Sequence, residues 1–386
     1  MRKLKWLLCV ASVCCVALWG HAASAQPPMF AGGGSWSGTI DADATLSVPS
    51  QYATVQDALD YLADKYIAQS ATVTISVAPG TYTYTEPIYS RHPCLSRVQI
   101  VGDATYGKTL SGIVSSSGSS GNWSLVLQLD DISGIAVDEY VLISSPSGGT
   151  NPTYIAGVFK VTAVDAGNNR ITIASKHKAS SAPSGSVAAS VTVLNTILKF
   201  SGCNGIQVDC QYLGMVDKVA IVGDGTSDKV GLYSMFGGGA IQCGTTLGVT
   251  GWDIGARAAN GNKVHTGQNN AFSGNSIGLY EIHNGTITAD HLIVSGNANY
   301  CVMLLGGGCL IGESSMITGN GTGVYAACNA TARIGLSTIT GNTTGLNAYG
   351  QSYMHVYGCS YANNGTNTTP AINTEGNKGA LIDDGT

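Results

Sequence analysis

From Gly205 onward, the apolar and polar positions of the chain recur with a period of 22 or 23 residues. Counting from the Asn of each S/T-G-N triplet, Asn275, Asn297, Asn320 and Asn342, with Asn364 in an A-N-N triplet, stand 22, 23, 22 and 22 residues apart. Trp252, in VTGW, stands 23 residues before the first of them. Three residues before each Asn come Phe272, Val294, Ile317, Ile339 and Tyr361, and four after come Leu279, Cys301, Val324 and Leu346. Twelve and fourteen after each reference come Val264/Thr266, Ile287/Ala289, Cys309/Ile311, Ala332/Ile334 and Met354/Val356. Thr266 is the one polar member of those ten, so they read as inward positions of short strands stacked coil upon coil. Three short strands per coil, with coils about 4.8 Å apart, predict an all-β parallel β-helix, a solenoid of about 22-residue coils.

Before the repeat the texture differs. ATVQDALDYLADKYI places Val55, Ala58, Leu59, Leu62 and Tyr66 at helical spacing behind a Thr54 N-cap with Asp57 at the third helical position, which predicts one amphipathic capping helix. ATVTISVAPGTYTY and SRVQIVGD then alternate as strands. Between about 127 and 200, YVLISS, YIAGVFKVTAVD, NRITIAS and ASVTVLNTILKF read as longer antiparallel strands, with a hairpin turn at Asp165–Asn169. The expected organisation is a leader at 1–25, a linker at 26–50, a cap and first coils at 51–126, a small inserted β module at 127–200, coils at 201–366 and a tail at 367–386.

Composition sharpens this picture. Arg2, Lys3 and Lys5 precede an apolar run from Trp6 to Gly20 and then Ala23-Ser24-Ala25, the pattern of a secretory signal peptide rather than a membrane span. Its removal leaves 15 Lys and Arg against 23 Asp and Glu, a balance that excludes a general electrostatic grip on nucleic acid. Eight cysteines remain after residue 25, with no C-x-x-C among them. They read mostly as buried thiols, and the pairing of Cys203 with Cys210 is open.

The coils with their S/T-G-N corners resemble the right-handed parallel β-helix of the pectin-lyase-like superfamily. TVQDALDYLADKYI, TVTISVAPGTYTY, VQIVGD and EYVLISS…GVFKVTAVDAGNNRITI are similar to the cap and inserted module of β-helical tail-fibre and tailspike proteins of bacteriophages. The likeness covers most of residues 51 to 366. It implies polysaccharide as partner, a homotrimer, and a virion tail as the alternative to a secreted or cell-surface location. No cofactor is expected, with Ca²⁺ only if the chain is a lyase.

Three sets of residues are candidates for chemistry. Asn275, Asn297, Asn320, Asn342 and Asn364 read as a structural turn ladder, the alternative being a row of amides on sugar hydroxyls. Eleven and thirteen after each reference, Lys263, His265, Thr286, Thr288, Gly308, Leu310, Thr331, Arg333, Tyr353 and His355 form an outward face suited to sugar hydroxyls and carboxylates. Five after come Arg257, Tyr280, Val302, Tyr325 and Asn347, whose tyrosines suit stacking on pyranose rings. For catalysis, His291 and Glu313 fall sixteen after their anchors with Asp290 adjacent, and Glu281/Asp290 and Asp290/Glu313 are the conceivable carboxylate pairs of a hydrolase. The N-T-D and G-H-G motifs of polygalacturonase-like enzymes are missing, and Asp-Asp occurs only at Asp130-Asp131 and Asp383-Asp384. Glycan recognition without cleavage is therefore the first expectation, a polysaccharide lyase or glycoside hydrolase the second, and a purely structural protein the third.

Overall fold

The computed structural model describes residues 36–178, 181–372, 374 and 379–384, so the expected signal peptide lies outside the described residues. The chain forms a parallel β-helix walled by three sheets. One coil shows the order. Ile277–Ile282 belongs to the nine-stranded sheet II, Thr286–Ala289 to the eleven-stranded sheet III and Ile293–Ser295 to the nine-stranded sheet I, after which Gly296 turns the chain into Asn297. Inside the wall, columns such as Val264, Ile287, Leu310, Ala332 and Met354 stack in register. Each large side chain withdrawn there stabilises the solenoid by about 2 kcal/mol.

The first coils include residues expected to be linker, because Ala44–Val48 pairs with Val73–Val77 as the first strand of sheet III. The capping helix α1 spans Val55–Leu62 and carries the reciprocal cap: Asp57 N–H donates to the Thr54 hydroxyl at 3.1 Å, and Thr54 N–H donates to the Asp57 carboxylate at 2.9 Å. Its buried residues Val55, Ala58, Leu59 and Leu62 join the solenoid core. Tyr66 does not extend the helix. It lies exposed on Lys65–Ile67, which pairs with Gly38–Ile40, so strand pairing ends the helix early.

The inserted module is a closed six-stranded barrel running from Ala104 to Leu194, so the chain leaves the coils earlier than the change of texture near 127 suggests. The strands Ala104–Ser119 and Asn122–Leu129 close it, and Asn169, in the left-handed conformation at φ 51°, turns the expected hairpin. The barrel interrupts one coil between Val98–Val101 of sheet III and Thr196–Phe200 of sheet I. It then lies back on sheet I, where its Leu142, Ala156, Val158 and Leu194 pack on Ile197, Ala220, Val222, Ala271 and Ile293. Sheet I is thus covered on both faces, which is why Val219–Val222 is apolar at every position.

At the other end, Leu381–Asp383 pairs with Tyr353–His355 as the last strand of sheet III, so part of the expected tail belongs to the solenoid. All eight cysteines in the described residues are thiols, Cys203 and Cys210 included. Cys94, Cys203, Cys243 and Cys301 are buried, whereas Cys210 and Cys328 are exposed.

Candidate functional site

The Asn corners come first because they set the register. The Asn297 side-chain oxygen accepts from Asn275 N–H at 3.0 Å, Asn320 from Asn297 at 2.9 Å, Asn342 from Asn320 at 3.0 Å and Asn364 from Asn342 at 2.9 Å. Each Nδ2 also donates to a backbone carbonyl in the preceding coil, as Asn297 does to Phe272 at 3.1 Å. Asn275, Asn297, Asn320 and Asn342 are buried, so their amides face the wall and not a ligand.

The other two letters of the triplet serve the barrel. Ser273 and Ser295 bond to each other at 3.0 Å, and the Ser273 hydroxyl accepts from Val158 N–H of the barrel at 3.1 Å. Thr340 meets Thr153 at 2.9 Å. Gly274, Gly296, Gly319 and Gly341 hold φ between 59° and 69°. Where they turn, the barrel comes close: a Cβ on Gly319 would lie 2.5 Å from the Cβ of His177, and one on Gly341 would collide with the Tyr154 ring. Glycine is required there twice over, for the left-handed turn and for the approach.

The coil from Asn297 to Asn320 departs from the expected register. Its extra residue enters before Tyr300, which pairs with Ile277, and every later position slips by one. Leu310 therefore faces in, while Cys309 and Ile311 face out, Ile311 being 42% exposed. Met303, not Val302, stands in the column with Tyr280 and Tyr325, and Val302 is buried. Glu313 aligns with Gly335 on one side, and its N–H donates to the Asp290 carboxylate at 3.2 Å on the other. His291 is a left-handed turn residue at φ 55° whose N–H donates to the Glu313 carbonyl at 2.9 Å, so backbone rather than side chains joins the two.

On sheet III, the outward columns run Lys263, Thr286, Cys309, Thr331, Tyr353 and, beside them, His265, Thr288, Ile311, Arg333, His355. His265 bonds to the Thr288 hydroxyl at 2.8 Å, and burial, then Lys263, lowers its pKa. Further along, Glu313 accepts from the Tyr357 hydroxyl and lies 3.6 Å from Arg333, whose guanidinium sits 5.5 Å over the Tyr357 ring. Asp383 accepts from Tyr353 at 2.7 Å and faces His355 at 3.9 Å. Neighbouring side chains thus occupy these carboxylates.

Sheet II carries a different surface. Tyr89, Gln207, Tyr233, Arg257, Tyr280, Met303, Tyr325 and Asn347 form one unbroken outward column. The Arg257 guanidinium lies between Tyr233 and Tyr280, 5.3 and 5.2 Å from their ring centres, and Tyr325 packs on Tyr300 at 5.4 Å. Burial raises the phenol pKa of Tyr233, Tyr280 and Tyr325. Tyr233, Met303 and Tyr300 escaped the sequence count. The first precedes any S/T-G-N corner, and the other two follow the extra residue.

The structure therefore does not unite the candidates. Arg257, Tyr280 and Tyr325 share sheet II, whereas Lys263, His265, Arg333 and His355 share sheet III, and Asp290 and His291 sit exposed in the turn after it. Glu281 is buried inside the wall, so it cannot join Asp290 as a catalytic pair. Among the described residues, no three His, Cys, Asp or Glu side chains converge as metal ligands.

This is a parallel β-helix carrying a barrel on one sheet and an aromatic row on the next. No family model matches the chain, and no curated protein is similar to it. Among solved structures it is similar to the tailspike protein gp49 of Pseudomonas phage LKA1, at 12% identity over 79% of this chain and 56% of that one, with a TM-score of 0.27. It is also similar to XylC in complex with xylose, at 8% identity over 83% and 70% of the two chains, with a TM-score of 0.32. The chain spans little more than half the length of the tailspike protein, and likeness at this level concerns fold alone.

Proposed function

We propose that this chain is an exported β-helix protein that binds polysaccharide along the outer face of sheet II without cleaving it. The observation that carries the reading is the row Tyr233, Arg257, Tyr280, Met303 and Tyr325, which repeats at coil spacing on a sheet the barrel does not cover. Sugar rings pack their C–H faces on aromatic rings and guanidinium planes, and Gln207 and Asn347 at the ends of the row offer amides to hydroxyls. Stacking already restrains these side chains, so ordering them on a ligand costs little. Export rests on the leader-like residues 1–25, and an N-terminus at Gln26 in the secreted protein is the expected product. Binding is favoured over lyase or hydrolase chemistry by the separation of Glu281, inside the wall, from Asp290 and Glu313 outside it.

The test is calorimetry against a panel of neutral and uronate-containing polysaccharides. The Tyr280→Ala/Tyr325→Ala double variant is expected to weaken retention of the bound glycan by about ten-fold or more at unchanged melting temperature. Ultraviolet-absorbing unsaturated ends or new reducing ends would overturn the non-cleaving reading, and no retention of any glycan would overturn the whole. Light scattering reads the assembly, for which the tail-fibre resemblance implies three chains.

A further inference from the structure

The barrel strand Arg170–Ser175 runs on into Lys176-His177-Lys178, which lies along the Gly–Asn corners of the solenoid. His177 is turned inward, 1% exposed, stacked on Trp123 and tilted against Tyr154. Alternation along an extended chain turns its two neighbours the other way. Both lysines border a cleft of about 310 Å³ that Asp253, Ser276 and Ala298 also line.

The backbone that carries the lysines is held from both sides. Lys178 N–H donates to the Gly319 carbonyl at 2.6 Å, the Lys178 carbonyl accepts from the Ser120 hydroxyl at 2.6 Å, and the His177 carbonyl accepts from Gly121 N–H at 2.7 Å. Among the described residues, neither ammonium forms an ion pair, although the chain carries more acids than bases. In the same cleft, one Asp253 oxygen accepts from Asp228 N–H at 2.9 Å. The Ser276 hydroxyl accepts from Asn299 Nδ2 at 2.8 Å, which leaves its hydrogen to donate. Two unpaired cations in a cleft that a hydroxyl and a carboxylate also line fit a ligand that carries both an anionic group and hydroxyls.

We propose that this cleft binds an acidic sugar unit of a polysaccharide, with Lys176 and Lys178 on its carboxylate or sulfate and Asp253 and Ser276 on its hydroxyls. The site shares no residue with the row on sheet II and goes beyond the reading given for that row. Charge-assisted bonds from two ammoniums carried on one anchored stretch of backbone give a preference for the charged form of a sugar that stacking cannot supply.

Calorimetry with two matched pairs tests this: oligogalacturonate against its methyl ester, and dextran sulfate against dextran. The intact chain is expected to prefer the charged member of at least one pair by about ten-fold or more. That preference and its salt dependence should disappear in the Lys176→Gln/Lys178→Gln variant, and persist in Lys199→Gln, which removes an exposed cation of sheet I outside the cleft. Thermal melting of each variant confirms the fold. Equal affinity within both pairs, a preference that survives the double variant, or equal binding of polyacrylate, which has no hydroxyls, would each overturn the proposal.

Discussion

His177 lies almost flat on Trp123, with ring centroids 5.5 Å apart and planes 14° from parallel, and meets Tyr154 at 5.0 Å. Among the described residues neither ring nitrogen has a hydrogen-bond partner, and burial pushes the imidazole pKa down to about 4. The unfolded chain takes up a proton near pH 6.5, whereas the native chain refuses it until about pH 4. Stability is therefore full above pH 6.5 and falls as the pH drops toward 4, by up to about 3 kcal/mol. His177→Phe keeps a stacked ring and should flatten the melting temperature across that window. An unchanged slope in the variant would place the acid sensitivity elsewhere.

The contact also explains why glycine follows Ser or Thr at the corners. Gly261, at φ 80°, has open space where a Cβ would project, whereas Gly319, at φ 66°, has His177 there. Gly261→Ala should cost only the left-handed backbone, about 1 kcal/mol. Gly319→Ala should cost clearly more, and it should change Trp123 fluorescence because the barrel must shift. Equal losses in the two variants would show that the corner glycines serve the turn alone.

The coil period was legible because every coil must bury the same positions, and the spacing of Asn275, Asn297, Asn320 and Asn342 carries it openly. Counting from an anchor fails where one residue is added inside a coil. The sequence Ala298-Asn299-Tyr300 does not say where the extra residue sits, so Cys309 and Ile311 counted as inward although Leu310 fills the place. The barrel seam was hidden for another reason. Ser273 and Val158 lie 115 residues apart, and a turn serine and a docking serine are the same letter. For the candidate site, the chemistry of Arg257, Tyr280 and Tyr325 was visible, but the sheet assignment that separates them from Arg333 and His355 came only with the strand pairing.

Asn320 sits mid-ladder with no exposure. Its Oδ1 accepts from Asn297 N–H at 2.9 Å and from Asn297 Nδ2 at 3.2 Å, while its Nδ2 donates to the Thr318 carbonyl at 2.9 Å and to Asn342 Oδ1 at 2.9 Å. Asn320→Ala strands buried donors and acceptors in two coils and should cost about 2–4 kcal/mol by chemical denaturation. Asn320→Asp should cost at least as much above pH 5, since a buried carboxylate would face the Asn342 and Thr318 oxygens, and should recover in part on acidification. An aspartate variant as stable as the parent at neutral pH would remove the ladder from the forces that hold the coils.

Glu281 is fully buried on the inner face of sheet II, in register with Ala258 and Leu304 of the adjacent coils. Among the described residues neither carboxyl oxygen has a side-chain partner, and a Cβ on Gly308 would lie only 2.9 Å from Oε2, so the group fills space that Gly308 leaves. Burial pushes its pKa from 4.5 up to about 8, against a smaller downward pull from the Cys309 backbone. Between those values the native state keeps a proton that the unfolded chain releases, so stability is greatest below pH 4.5 and declines as the pH rises toward 8. At pH 7 the loss amounts to about 3 kcal/mol. Glu281→Gln should abolish the decline, and Glu281→Met, apolar like Ala258 and Leu304 in the same column, should also raise stability at neutral pH. Denaturant midpoints between pH 4 and 9 measure both effects. A decline that persists in Glu281→Gln would assign the alkaline sensitivity to another group and leave Glu281 a neutral filler of the coil.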